Sequence, residues 1–171
     1  MQAITVNYKA GAVKFARQLL GRRPADEDMA RLAGALDGAI VIVSVKKKKG
    51  WLYLVVDDPA RFEVYETSVR RDERGDLYAY IHEVRTAVGR RGQGLGLQAF
   101  RRQVAGARAL GVKRFELFAA GDPADTSDNG YYTWARFGFN APLREIEQRA
   151  LPSELSEAKD LNEIMLQRIV R

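Results

Sequence analysis

One short segment constrains the fold of this chain more than any other, and it reads Arg91-Gly92-Gln93-Gly94-Leu95-Gly96. We call residues 91–96 the glycine turn. It follows a long strand pattern at 77–88 and opens an apolar helical pattern that ends before Gly111. Glycines there let backbone N–H groups approach an anion with no Cβ in the way. Because the first helical N–H groups lack internal partners and the helix dipole adds positive charge, the turn predicts a pyrophosphate site.

Two common pyrophosphate motifs do not fit the glycine turn. A P-loop requires lysine and then serine or threonine after its last glycine, but Gly96 is followed by Leu97 and Gln98. A dinucleotide-binding Rossmann turn built on Gly92 and Gly94 requires a third glycine at position 97, which is leucine. Such a turn also belongs to a chain of alternating strands and helices, whereas a β-rich half precedes this one.

The rest of the chain divides into short predicted elements. Apolar spacing predicts helices over 12–20 and from Pro24 to about 36. β-Branched and alternating runs predict strands at 39–45, 51–56, 62–69 and 113–119. Residues 121–130 are predicted to be a loop, 131–137 a short helix, and the region from 143 helical. The helix after the glycine turn is predicted to bury a stripe of apolar side chains, namely Leu97, Phe100, Val104 and Ala107.

A second segment gives the glycine turn a more specific meaning. It reads Asn129-Gly130-Tyr131-Tyr132-Thr133-Trp134-Ala135-Arg136-Phe137-Gly138-Phe139, and about one helix, one strand and one loop separate it from the turn. The turn fits the pattern Gln/Arg-x-x-Gly-x-Gly/Ala. Together the two segments resemble the signatures of the GNAT superfamily of acyl-coenzyme A N-acyltransferases. The residues of the second segment resemble those of a bacterial and phage-associated branch of that superfamily. The resemblance covers roughly residues 77–139.

The resemblance implies a fold, a cofactor and an activity. The fold would be a single α/β (α+β) domain over residues 1–171, with a mixed sheet of about six to seven strands, splayed central strands and about four flanking helices. The cofactor would be acetyl-coenzyme A, with its pyrophosphate on residues 91–96 and its pantetheine arm along Val84, Arg85 and Thr86. A backbone N–H there would polarise the thioester carbonyl, and Asn129 would contact the cofactor. The activity would be acetyl transfer to a primary amine by direct attack in a ternary complex, the acceptor being a small molecule, a lysine or a protein N-terminus.

The resemblance also implies that the splayed strands leave a slot for the pantetheine arm, and candidate acid–base residues lie beside it. His82 and Glu83 are adjacent, so in a regular strand they face opposite ways and one of them reaches the slot. His82 has a near-neutral intrinsic pKa, and Glu83, which the resemblance favours, would act directly or through a water. The family's usual tyrosine acid falls at Trp134, whose indole cannot serve as an acid. Tyr131 and Tyr132 are the candidate substitutes.

Composition narrows the chemistry and adds a second hypothesis. The chain has no cysteine and one histidine, which excludes disulfides, thiolate sites and multi-histidine metal sites, so no metal is expected. The net charge is +6, and Lys46, Lys47, Lys48 and Lys49 form a predicted hairpin tip. Such a tip is typical of a solvated turn but also suits nucleic acid or an acidic partner. The second hypothesis is therefore a GNAT-like module of weak or no activity that binds nucleic acid or a protein through this basic surface.

No targeting signal is evident in the sequence. No apolar run approaches the roughly 20 residues that span a bilayer, and the N-terminus lacks the pattern of a signal peptide. We therefore expect a cytoplasmic protein without a membrane partner, and a homodimer is compatible with everything in the sequence.

Overall fold

The computed structural model describes residues 2–119, 121–122, 125–143, 145–149, 151, 153–155 and 157–163, with backbone alone at 121–122, 125–132, 146, 147 and 154. The chain forms two compact units, Met1–Phe118 and Ala119–Arg171, which we describe separately. The single domain expected over 1–171 stays a prediction. No helix among the described residues is both long and apolar enough to cross a membrane.

The first unit is built on one mixed sheet. Its six strands lie side by side in chain order: β1 (Thr5–Tyr8), β2 (Ile40–Lys46), β3 (Trp51–Asp57), β4 (Phe62–Arg71), β5 (Leu77–Thr86) and β6 (Arg114–Leu117). β1 pairs with β2 and β5 with β6 in parallel, and the other neighbours are antiparallel. This confirms the predicted mixed α/β sheet of six to seven strands.

Three helices supply the core on one face of this sheet. They are α1 (Ala12–Leu20), α2 (Asp26–Ala33) and α3 (Leu95–Ala109). Their buried side chains join those of β2 to β5 in one apolar cluster, which includes Ala16, Met29, Leu32, Val43, Leu54, Val69 and Ala79. Alternate residues of β3, β4 and β5 therefore point to the other face, and the side chains of His82 and Glu83 lie on that face.

The buried face of α3 differs from the predicted stripe. Its buried residues are Ala99, Gln103, Gly106 and Ala107. Leu97 is 37% exposed, so its prediction as a core residue was wrong. Gln103 is buried because both ends of its amide are satisfied: it donates to Thr67 Oγ1 (2.8 Å) and accepts from Tyr65 Oη (3.3 Å).

Gly106 allows α2 and α3 to approach closely. A Cβ placed there would lie 2.3 Å from the backbone nitrogen of Leu32 and 2.7 Å from the carbonyl carbon of Arg31. Backbone atoms of a packed helix cannot rotate away as the end of a side chain can. The packing of α2 against α3 therefore requires a residue without a side chain at position 106.

The same substitution at two positions of α3 is expected to have opposite effects. Gly106→Ala should destabilise the protein by about 2–3 kcal/mol, since the overpacking at α2 exceeds the gain in helix propensity. Gly96→Ala, where an added Cβ meets nothing within 4 Å, should be neutral or stabilise by up to about 1 kcal/mol. Urea denaturation followed by circular dichroism measures both. Equal effects would contradict the close approach.

The second unit contains short elements. Strands β7 (Gly121–Asp122) and β8 (Asp125–Asn129) pair antiparallel, and helices α4 (Gly130–Arg136) and α5 (Glu145–Arg149) follow. The prediction of a loop over 121–130 was therefore wrong, because a sequence rich in Asp and Gly concealed a two-stranded sheet. The ring centroid of Trp134 lies 5.7 Å from that of Phe137 and 5.3 Å from that of Phe139, and both contacts are edge-on.

Candidate functional site

The glycine turn lies between the end of β5 and the start of α3. Gly92 and Gly94 have φ angles of +76° and +74°, and Gly94 is the N-cap of α3. Only glycine adopts such angles without strain, so the turn requires glycine at both positions. Added Cβ atoms at these two residues or at Gly96 would meet no atom within 4 Å. The turn is therefore open on the side where a ligand would approach.

From Gly92 onwards, the backbone N–H groups of the turn have no acceptor among the described residues. Within the described part of the chain, no N–H from Gly92 to Leu97 donates to a protein atom, and the first helical bond runs from Gln98 to Gly94. Arg90 and Arg91 are exposed beside it. Six successive N–H donors without an acceptor among the described residues thus lie beside two exposed guanidinium groups, an arrangement that suits an anion. The binding of a pyrophosphate there stays a prediction.

One edge of β5 is open next to this turn. β6 pairs with β5 only from Tyr78 to Ile81, whereas β5 continues to Thr86. Residues 82–86 therefore have no strand partner on that edge among the described residues, and we call them the open edge. The open edge contains Val84, Arg85 and Thr86, the residues expected to lie along a pantetheine arm. The early end of the β5–β6 pairing agrees with the predicted splayed strands.

A β-bulge interrupts β5 at His82. Glu83 pairs with Glu66 of β4, but the next pair along the ladder joins Ile81 to Thr67. His82 is therefore an extra residue on β5 with no counterpart on β4. A bulge of this kind resets the alternation of side chains between the two faces of a strand.

The bulge places His82 and Glu83 on the same face of the sheet. His82 contacts Ser68, and Glu83 lies opposite Glu66, which is two residues from Ser68 and so shares its face. The expectation that the two candidates face opposite ways was wrong. It assumed a regular strand, and the bulge removes that regularity.

His82 is surrounded by three aromatic side chains. Its ring centroid is 5.6 Å from that of Trp51, 5.0 Å from that of Tyr53 and 4.9 Å from that of Tyr80. Its Nε2 atom is 2.9 Å from Ser68 Oγ, a hydroxyl that is fully buried. Nδ1 has no partner among the described residues. The imidazole is therefore oriented through Nε2, and in the tautomer that carries its proton on Nε2 the Nδ1 atom can accept a proton.

The surroundings of His82 keep it neutral. Burial is the largest cause that lowers its pKa below the ordinary value of 6.5, and the positive charges of Arg70 and Lys49 lower it further. The Glu66 carboxylate acts in the opposite direction. At neutral pH the imidazole is uncharged, which a general base requires.

Glu83 has a different environment from His82. Its Oε1 atom is 2.9 Å from Arg85 Nη2, and both side chains are about half exposed. The guanidinium competes for the carboxylate that the resemblance favoured as the base. The ion pair between Glu83 and Arg85 thus favours His82 over Glu83 as the general base.

Sequence reasoning missed three polar neighbours of His82, namely Tyr53, Glu66 and Ser68. Tyr53 donates a hydrogen bond to Glu66, and burial, followed by this bond, raises the pKa of Tyr53. Glu66 and Ser68 alternate along β4 with the core residues Tyr65 and Thr67. That alternation is a signal that assigns both residues to the face opposite the helices.

The remaining predicted site residues belong to the second unit. Asn129 ends β8, and Tyr131 and Tyr132 lie in α4. Their side chains lie outside the described part of the structure, so their proposed contacts stay predictions.

Comparisons with known proteins give likenesses at the level of structure alone. No protein-family model and no curated protein matches the sequence. Among solved structures, the chain is similar to a transcriptional regulator from Bacillus halodurans C-125 (22% identity, TM-score 0.44, 58% of this chain and 66% of that chain). It is also similar to a Trypanosoma brucei acetyltransferase (19% identity, TM-score 0.37, 80% of this chain and 92% of that chain). A third similar structure is the glucosamine-6-phosphate N-acetyltransferase of Arabidopsis thaliana (13% identity, TM-score 0.37, 79% of this chain and 86% of that chain).

Two of these solved structures are acetyltransferases, the class that the glycine turn and residues 129–139 resemble. The aligned part spans just under two thirds of the Bacillus regulator. With TM-scores of 0.44 and lower, the likenesses add no support for an activity.

Proposed function

We propose that this chain is an acyl-coenzyme A-dependent N-acetyltransferase that transfers an acetyl group to a primary amine. The observation that carries the proposal is the position of the glycine turn directly after the open edge of β5. The row of free N–H groups suits a pyrophosphate. An open strand edge suits an extended chain that pairs with it as an added strand.

The residues present fit coenzyme A. Gly92, Gly94 and Gly96 leave open space where side chains would block an anion. Residues 91–96 would hold the pyrophosphate, Val84, Arg85 and Thr86 the pantetheine arm, and Asn129 would add a contact. When bound, acetyl-coenzyme A supplies an activated thioester carbonyl.

His82 would act as the general base in this proposal. The attacking amine must lose a proton, and Nδ1 of the neutral imidazole is free to take it. Nε2–H would then donate to Ser68, and the nearby Glu66 carboxylate would stabilise the imidazolium. A backbone N–H of the open edge would stabilise the oxyanion. Tyr131 or Tyr132 would protonate the departing thiolate.

The test uses tag-free protein in two measurements. Isothermal titration with acetyl-coenzyme A should give saturable binding, and no binding at millimolar concentration would refute the proposal. Transfer to a panel of amines should release one free thiol per acetyl group. Because the chain has no cysteine, a thiol-reactive dye reports coenzyme A alone.

A further inference from the structure

A wide depression opens on the sheet face that carries His82. Its volume is about 720 Å³, and the described residues that line it are Ala10, Val45, Lys46, Lys47, Lys48, Lys49, Trp51, Tyr53 and His82. We call it the lysine–aromatic depression. It combines a cationic rim with a floor of aromatic rings, and none of its described lining residues is acidic.

The lysines on the rim have no acidic partner in the part of the chain that the structure describes. None of the four lysines forms an ion pair with a carboxylate in the described ranges. Lys46 Nζ lies 5.1 Å from the Tyr53 ring centroid, and Lys49 Nζ lies 4.6 Å from that of Trp51. These contacts hold two ammonium groups over the floor of the depression.

A further cation lies behind the floor. The Arg70 guanidinium carbon is 4.3 Å from the Trp51 ring centroid. Its Nε atom is buried and has no hydrogen-bond partner among the described residues. The field at the rim therefore favours an anion.

His82 lines the same depression, and a carboxylate lies close to it. Tyr53, which also lines the depression, donates a hydrogen bond to Glu66. The Glu66 carboxylate attracts an ammonium group electrostatically. A ligand bound in the depression would thus place its amine near His82 and its anionic group against the lysines.

We propose that the lysine–aromatic depression is the acceptor subsite and that it selects primary amines carrying a phosphate or carboxylate group. The inference rests on the proposed acetyltransferase function. A volume of about 720 Å³ falls in the range of small-ligand pockets, about 300–1,000 Å³. This size favours a small molecule over a nucleic acid or a protein as the occupant.

Binding of matched amines tests the selectivity without turnover. The chain has one histidine, so the Hε1 proton resonance of tag-free protein reports on His82 alone. We expect phosphoethanolamine to shift this resonance with an affinity about tenfold higher than that of ethanolamine. Raising the salt from about 0.05 M to about 0.5 M should reduce that ratio. Equal affinities for the two amines would overturn the inference.

A matched pair of variants locates the selectivity. Replacing Lys47, Lys48 and Lys49 together with glutamine should abolish the preference for phosphoethanolamine. The control is Lys113→Gln, because Lys113 is also exposed but precedes β6, at the sheet edge away from β2. The control should retain the preference. A preference that survives the triple substitution, or that the control also loses, would contradict the inference.

Two further titrations separate this inference from the proposed function. Failure of acetyl-coenzyme A to bind refutes the function itself, whereas normal binding with no selectivity among amines refutes only the inference. Weaker acetyl-coenzyme A binding by the triple variant would assign the lysines to the acyl donor and overturn the inference. An oligothymidylate that displaces phosphoethanolamine and binds more tightly would overturn it in favour of nucleic acid.

Discussion

Gly96→Leu is expected to weaken acetyl-coenzyme A binding by about 100-fold, or about 2.7 kcal/mol, without unfolding the protein. Gly96 is the second residue of α3, and its N–H is one of the free donors of the glycine turn. Helical side chains lean towards the helix N-terminus, so a leucine here would cover the donors that precede it. A Cβ at this position meets nothing within 4 Å, so the fold should accommodate the change. Isothermal titration measures the loss.

The matched control for this substitution is Gly96→Ala. The family pattern accepts alanine at this position, and a methyl group leaves the donors uncovered, so binding should stay within about threefold of the wild type. Circular dichroism should show unchanged helix content for both variants. Wild-type affinity in a folded Gly96→Leu protein would mean that the ligand does not occupy the glycine turn.

The glycine turn could be predicted from the sequence because its determinants are local. Gly92 and Gly94 need positive φ angles, and the predicted helix start differs from the observed one by a single residue. The long strand before the turn was also predicted from its own run of residues, and it ends two residues earlier than expected, at Thr86. Backbone preferences of individual residues suffice for both features.

The details that decide the candidate chemistry depend on contacts between distant segments. The bulge at His82 is a feature of the pairing between β4 and β5. The alternation of side chains along β5 alone does not predict it. The buried face of α3 depends on the approach of α2 at Gly106. In both cases a partner more than ten residues away determines which side chains share a face. This is why the opposite orientation of His82 and Glu83 was predicted wrongly.

His82→Gln is expected to lower kcat/KM by about 100-fold or more at neutral pH while the affinity for acetyl-coenzyme A is unchanged. Glutamine keeps the approximate size of the side chain and a hydrogen bond to Ser68 but cannot accept the amine proton. The comparison variant is Glu83→Gln, which should lose much less activity because Glu83 is ion-paired with Arg85. A larger loss for Glu83→Gln than for His82→Gln would identify Glu83 as the base.

The pH dependence should identify the base independently. Only the neutral imidazole accepts a proton, so wild-type kcat/KM should fall as the pH decreases through the pKa of His82. Because burial lowers this pKa, the fall should lie below pH 6.5. The single histidine resonance gives the pKa directly by NMR, and the kinetic and NMR values should agree. In His82→Gln the inflection should disappear; an inflection that persists in this variant would belong to another group and exclude His82 as the base.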